Sequence, residues 1–380
     1  MTYITVMQSP MYHQLTLEEF LFQQRRYGNS VINDNTANTR TYAVDTVSRR
    51  FLETVSVPHL ISQLVKFNEH TEYLREKPRK ELYYEFFIPK KSGGLRKIDA
   101  PCEELMEELR NLKRMFETDF RALYHTSAFA YVKKRSTLDA VKRHQANESK
   151  WFGKLDLSNF FGNTTLEWSM KMLGMIFPFS EVVQYGQGEQ QLEKAVELGF
   201  LNGGLPQGTP LSPMLTNILM IPIDYALANA FRDFQKQQFV YTRYSDDTIV
   251  SSKYDFDIHA VERLIVDTHK QFDSPHVLNV KKTRYGSSSG SNWNLGVMLN
   301  KDNEITVGYK NKRQFRAMIT SYVADKQHGV EWDLHDIQTM EGLRNYYRNV
   351  ERDAIDEMVK HVGEKYNADI VGMIRADLKR

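Results

Sequence analysis

The sequence predicts an α+β fold in which helices and antiparallel strands are intermixed. Three observations predict it. Two alternating stretches meet at an acidic tip in "YTRYSDDTIVSS" (241–252), the pattern of a β-hairpin. Helical periodicity comes in separate blocks such as "CEELMEELRNLKRMFETDFRALY" (102–124), without the regular strand–helix–strand alternation of a parallel sheet. From Lys312 onward the pattern is all helical.

At 380 residues the chain is long enough for two or three subdomains with a sizeable core. Hydrophobic content of 41% and charged content of 26% are those of an ordinary globular protein. A net charge of +2 neither demands nor excludes nucleic acid, but the basic residues gather in "PKKSGGLRK" (89–97), "VKKRSTLDAVKR" (132–143) and "YKNKRQFR" (309–316). Three such runs suit a groove lined by phosphates. The single cysteine, Cys102, excludes an internal disulfide and a cysteine zinc site, and it fits a reducing, cytoplasmic setting. The first residues, "MTYITVMQSPMYHQL", lack the pattern of a secretory signal. The most apolar stretch, "MLTNILMIPIDYALANAF", is interrupted by Asn217, Pro222 and Asp224, so it reads as a core helix and no membrane partner is expected.

Taken in order, "LTLEEFLFQQRR" opens with a Thr16–Glu19 capping box and predicts a helix, and the polar "GNSVINDNTANTRT" (28–41) predicts a loop. Helical pattern follows around Pro58, and a strand in "LYYEFFIP" runs into the basic turn "KKSGG". In 102–124, Leu105, Leu109, Leu112, Phe116, Phe120 and Leu123 recur at three- and four-residue spacing, one face of an amphipathic helix. "WFGKLDLSNFF" (151–161) predicts a buried strand that gives way to an acid, and one long helix is expected from Ser212 to Phe234. The hairpin comes next, then a helix over "IHAVERLIVDTHKQF" and two strands, "WNLGVML" and "EITVGY", around the turn "KDNE". "SSSGS" (287–291) reads as a flexible turn, and most of the 11 histidines lack metal-ligand spacing.

Asp246 and Asp247, adjacent at a hairpin tip, repel each other and on their own describe only a solvated turn. A third acid, Asp156 in "KLDLSNFFGN", stands where an apolar strand meets polar residues. Together the three offer the ligand set of two-metal phosphoryl transfer, in which two divalent ions about 4 Å apart serve the attacking and leaving oxygens. Mg²⁺ prefers such hard oxygen ligands. Bound metal would cancel the repulsion.

From about Tyr83 the chain resembles reverse transcriptases, with the motifs in the family's order. "FFIPKKSGGLRKIDAP" is similar to the first fingers motif, which implies that Lys90 or Lys91, with Arg96, grips the incoming triphosphate. "AFAYVKKRSTLDAV" resembles the second, which lines the template path. "LDLSNFFGN" resembles motif A: Asp156 and the Leu157 carbonyl are implied metal ligands, and Phe161, five residues on, falls at the steric gate against a ribose 2′-hydroxyl. "LPQGTPLSPMLTN" resembles motif B, with Gln207 and Gly208 beneath the nascent base pair, and "YSDD" matches motif C. "LNVKKTRYG" is similar to motif D, whose lysine, here Lys282, is the implied proton donor to pyrophosphate. "NWNLGVML" resembles the primer grip and "GLRNYYRNVERDAIDEMV" a bacterial-type thumb.

The resemblance implies a right-hand polymerase with fingers, an antiparallel palm and a helical thumb. Its implied boundaries are an N-terminal extension at 1–60, fingers at 61–154, palm at 155–308 with finger helices between motifs A and B, and thumb at 309–380. It implies an RNA-directed DNA polymerase with two Mg²⁺ per site, Mn²⁺ being the alternative. The implied partners are dNTPs, nascent DNA and a structured non-coding RNA template, with a homo-oligomer or a partner protein left open. Lys310, Lys312, Arg313 and Arg316 are the expected RNA contacts of the thumb. Within the family, Ser212–Pro213 after motif B argues against a diversity-generating enzyme. "HQANE" and "LGV" stand in place of the usual retron segments, so the reading favours the miscellaneous, phage-defence reverse transcriptases, with a retron-type enzyme second and an inactive RNA-binding scaffold third.

Overall fold

The structure, a computed structural model, describes residues 56–90, 93–120, 122–232, 234–290 and 295–379. The helix and loop expected within 1–41 lie outside the described residues, as does Lys91. By its contacts the chain divides into two compact units, one of residues 1–136 with 153–285, the other of 137–152 with 286–380.

In the first unit, helix α1 (Val57–His70) precedes a hairpin of β1 (Tyr83–Pro89) and β2 (Leu95–Pro101). Its register runs from Tyr83 opposite Pro101 to Pro89 opposite Leu95. Helix α2 (Glu103–Thr118) buries Leu105, Leu109, Leu112 and Phe116, as its spacing predicts. It stops earlier than expected, which leaves Phe120 in the core but Leu123 exposed at 42%. Phe116, Phe120 and Phe179 close this part of the core, their ring centroids 4.8 to 5.2 Å apart.

The central sheet is antiparallel and orders its strands β4 (Phe239–Tyr244), β5 (Asp247–Ser252), β3 (Trp151–Ser158) and β6 (Val277–Leu278), with β7 (Arg284–Ser287) pairing β3 off that path. β3 ends sooner than the sequence suggests. Asn159 takes a left-handed conformation at φ 45°, which asparagine tolerates better than most residues, and Phe160–Asn163 form the one-turn helix α3. The helix expected over 212–234 is two helices, α4 (Leu211–Leu219) and α5 (Ile221–Ala230), bent by 46°. Pro222 is the cause, since it has no N–H to continue the ladder. Both are almost wholly buried, and among the described residues no single helix is long and apolar enough to cross a membrane. Helix α6 (Ile258–Gln271) forms after the β4–β5 hairpin, as expected.

The second unit contains a helix at Thr137–Ala146, a small hairpin of β8 (Met298–Leu299) and β9 (Ile305–Thr306), and four C-terminal helices. These are α7 (Tyr309–Gln327), α8 (Leu334–Val350), α9 (Arg352–Tyr366) and α10 (Ile370–Asp377). Phe315, Ile319, Tyr322, Ile337, Met340 and Ile355 are among their shared core residues.

Candidate active site

Strands β3 and β5 lie side by side in the middle of the sheet, so the acid of one and the acidic tip of the other meet at one end of it. The hairpin pairs Tyr244 with Asp247, leaving Ser245 and Asp246 as a two-residue loop. Ser245 stands at φ 62°, the sign that tight hairpins require of their first loop residue and that glycine usually supplies. The Leu157 N–H donates to the Asp246 carbonyl at 3.1 Å, and the Asp156 carbonyl accepts from the Asn279 N–H at 2.8 Å. Motifs A, C and D are thereby joined backbone to backbone around Asp156.

The side chains carry a consistent electrostatic pattern. Lys282 Nζ lies 3.0 and 3.2 Å from the two carboxylate oxygens of Asp156. Lys154 Nζ lies 2.7 Å from Asp247 Oδ2. Asp246 has neither lysine; burial, then Asp247, then Asp156 raise its carboxyl above the ordinary aspartate value. Asp246 is therefore the acid whose charge the metal-free fold disfavours most plainly, while cationic groups already stand on its two neighbours. Lys154 was not anticipated, although its place two residues before Asp156, on the same face of a strand, is the signal that could have found it.

These donors fit divalent metal. They are hard carboxylate oxygens at one end of the sheet, with the Leu157 carbonyl on the same strand as Asp156. Among the described residues no group of three or more His, Cys, Asp or Glu side chains forms a ready-made cage. Mg²⁺ is commonly held by only one or two carboxylates, with substrate phosphates completing the shell.

The other anticipated residues of the first unit gather nearby. Phe161 is half-buried on α3, and its carbonyl accepts from the Leu205 N–H at 3.0 Å, which binds motif A to motif B. Gly204 permits that approach, because a Cβ there would lie 2.1 Å from the Gly162 carbonyl oxygen. The Gln207 carbonyl accepts from the Asp99 N–H at 2.8 Å, docking motif B on β2. Gly208 has φ +123°, and a Cβ would meet Ile98 at 2.8 Å and the Asp99 carbonyl at 3.0 Å. The chain's own strand thus already demands glycine here, before any base pair is present. Lys90 is exposed at the end of the first hairpin, where its N–H donates to the Gly94 carbonyl at 3.0 Å. Arg96 is exposed on β2, and Tyr131, hydrogen-bonded to the Ser245 side chain, interacts electrostatically with both Arg96 and Asp246. Tyr131 is a second residue that sequence reasoning missed; nothing in its spacing marks it.

In the second unit, Lys310, Arg313 and Arg316 are exposed along the start of α7. Lys312 differs. Its Nζ lies 2.9 Å from Glu351, whose other oxygen accepts from the Val307 N–H and the Thr306 hydroxyl. That lysine holds the β9–α7 corner to α9.

Residues 88–307, more than half of the chain, match the family described as reverse transcriptase (RNA-dependent DNA polymerase). The retron Ec83 reverse transcriptase of Escherichia coli is 27% identical over 296 residues, 76% of this chain and 89% of that protein. The retron Ec73 reverse transcriptase of the same organism is 29% identical over 53% of this chain and 64% of its own length. Among solved structures, an apo telomerase from Candida tropicalis matches with a TM-score of 0.44 and 11% identity, over 78% of this chain and 61% of the telomerase.

Proposed function

The chain belongs to the reverse transcriptase family, and on that premise we propose that it is a retron-type RNA-directed DNA polymerase that copies a structured non-coding RNA with two Mg²⁺ ions. The observation that carries the reading is the meeting of Asp156, Asp246 and Asp247 at one end of the sheet, next to Lys282 and the Phe161 helix. Divalent ions held there would supply charge stabilisation for the attacking 3′-oxygen and the departing pyrophosphate. The protein's own groups then have distinct tasks. Asp156, Asp246, Asp247 and the Leu157 carbonyl would hold the cations, Phe161 would stand against the 2′ position of the sugar, and Gln207 with Gly208 would form the floor beneath the new pair. Lys282 would give a proton to the leaving group. Arg96, with Lys90 or Lys91, would take the triphosphate from the fingers.

Two curated relatives with retron names favour the retron-type reading over the miscellaneous class that the missing segments suggested. A role in defence against phage, expected for the miscellaneous class, is kept as a separate part of the proposal. The decisive trial is incorporation of labelled dNTP with Mg²⁺ on the RNA that co-purifies with the protein, followed by sequencing of that RNA. Template-dependent DNA from the parent, and none from Asp246→Asn, is the expected result. Equal synthesis by both would overturn the site, and plaque counts with the two proteins test the defensive role separately.

A further inference from the structure

Beneath the acidic loop lies a buried ion pair that none of the motif assignments uses. The side chains of Arg243 on β4 and Asp224 on α5 are 1% and 0% exposed. The contact is a two-pronged fork, with Nε to Oδ1 at 2.8 Å and Nη2 to Oδ2 at 2.7 Å, and the Tyr241 hydroxyl donates to Oδ1 at 2.7 Å. Stability alone is a poor reason for such a pair, because apolar residues of similar volume commonly fill the space as well or better. The third arm suggests the reason. Arg243 Nη1 donates to the Asn217 side-chain oxygen at 3.0 Å and to the Ser245 carbonyl at 3.2 Å.

Ser245 is the residue that needs holding. It is 7% exposed, sits at φ 62° without being glycine, and directly precedes Asp246. Such a conformation persists only when the surroundings over-determine it. Asn217, on the helix that follows Gln207 and Gly208, passes the constraint on by donating to the Ala130 carbonyl at 2.7 Å. The Arg243 backbone closes the frame, its N–H on the Ser127 carbonyl at 2.7 Å and its carbonyl on the Phe129 N–H at 2.9 Å.

We propose that Arg243, with Asp224 as counter-ion and Asn217 as second anchor, is a positioning residue for DNA synthesis: it fixes the Ser245 carbonyl and through it the aim of the Asp246 carboxylate. The inference rests on the reading of Asp246 as a catalytic carboxylate. It predicts a defect in turnover that is separable from folding.

The test uses the full chain with Arg243→Met combined with Asp224→Asn, which leaves no unpaired buried charge and keeps an acceptor for Tyr241. Arg243→Lys is the second variant, since an ammonium keeps the charge pair but cannot reproduce the fork and its third arm. Cooperative melting establishes folding, and steady-state incorporation gives kcat and the KM for dNTP. For a misplaced carboxylate, kcat falls on the order of 100-fold while KM stays within about threefold. Arg243→Lys melts near the parent and remains slow. A folded variant of either kind with kcat within about twofold of the parent overturns the proposal and leaves the pair a purely structural feature. Asp246→Asn is run beside them: synthesis by that variant would refute the site itself, whereas its inactivity beside active Arg243 variants refutes only the positioning role.

Discussion

Asp246 is a residue whose surroundings disfavour its own charge. Burial and two neighbouring acids raise its carboxyl, so at neutral pH the metal-free fold holds an anion that the unfolded chain would hold at lower cost. The sign follows: a raised aspartate value means that ionisation opposes folding, and the penalty is present above that value and relieved below it. Asp246→Asn should therefore melt slightly higher than the parent in metal-free buffer. Millimolar Mg²⁺ should raise the parent more than the variant; a parent that melts higher than the variant in chelator would contradict this account. Phe161→Ala tests a neighbour by a different route. Competition between dNTP and NTP in one reaction should show weaker sugar discrimination, and an unchanged ratio would move the gate elsewhere. At this scale the sequence pointed to residues that the fold brings near one another, Asp156, Phe161 and the Asp246–Asp247 pair, because the motifs fix residue type and order. It was silent on Lys154, Tyr131 and Arg243, whose roles depend on what another element brings to them across the fold.

Elements were predictable as far as local pattern controls them. The hairpin of β4 and β5, helix α2 and helix α6 follow their apolar spacing. The sequence reading missed the break at Pro222 and the left-handed Asn159, both of which local chemistry can flag once the apolar run is not given priority. Helix α3 depends on a support that no spacing reveals. The His276 ring packs 4.7 Å from Phe160 and 5.0 Å from Trp168, and its Nε2 lies 3.1 Å from the Thr164 hydroxyl. Ser274 bridges its Nδ1 to that of His269, at 2.9 Å each. Burial lowers His276 to about 3 and His269 to about 4, so both rings are neutral in the fold. Because the folded values lie below the unfolded one, their contribution is complete above about pH 6.5 and is lost as the pH falls toward 4. The two rings together should cost up to roughly 2–3 kcal/mol per pH unit in that window. Unfolding by urea between pH 7 and 5 reads this slope, and His276→Gln should flatten it. A midpoint that does not change across that range would show the rings titrate alike folded and unfolded.

Over the whole molecule the net charge of +2 conceals where the cations are free to act. Four thumb residues were expected to bind RNA, and a count from sequence treats them as equal. Lys312, tied to Glu351 beside the β9–α7 corner, is already engaged, while Lys310, Arg313 and Arg316 are exposed on α7. Each phosphate contact releases condensed counterions, which lowers the slope of log affinity against log salt by about 0.7 for single strands and 0.9 for duplex. Neutralising Lys310, Arg313 and Arg316 together should therefore flatten the slope by about two to three units and weaken binding similarly across RNA sequences. Discrimination among RNAs should survive, because shape and unpaired bases carry most of it. Lys312→Gln should leave the salt slope unchanged and instead lower the melting temperature, since Glu351 would lose its cation while still serving Val307 and Thr306. Filter binding over 50–300 mM salt, beside a melting curve for each variant, separates the two effects. A slope that drops by about one unit for Lys312→Gln would mean that this lysine leaves Glu351 for phosphate when RNA arrives.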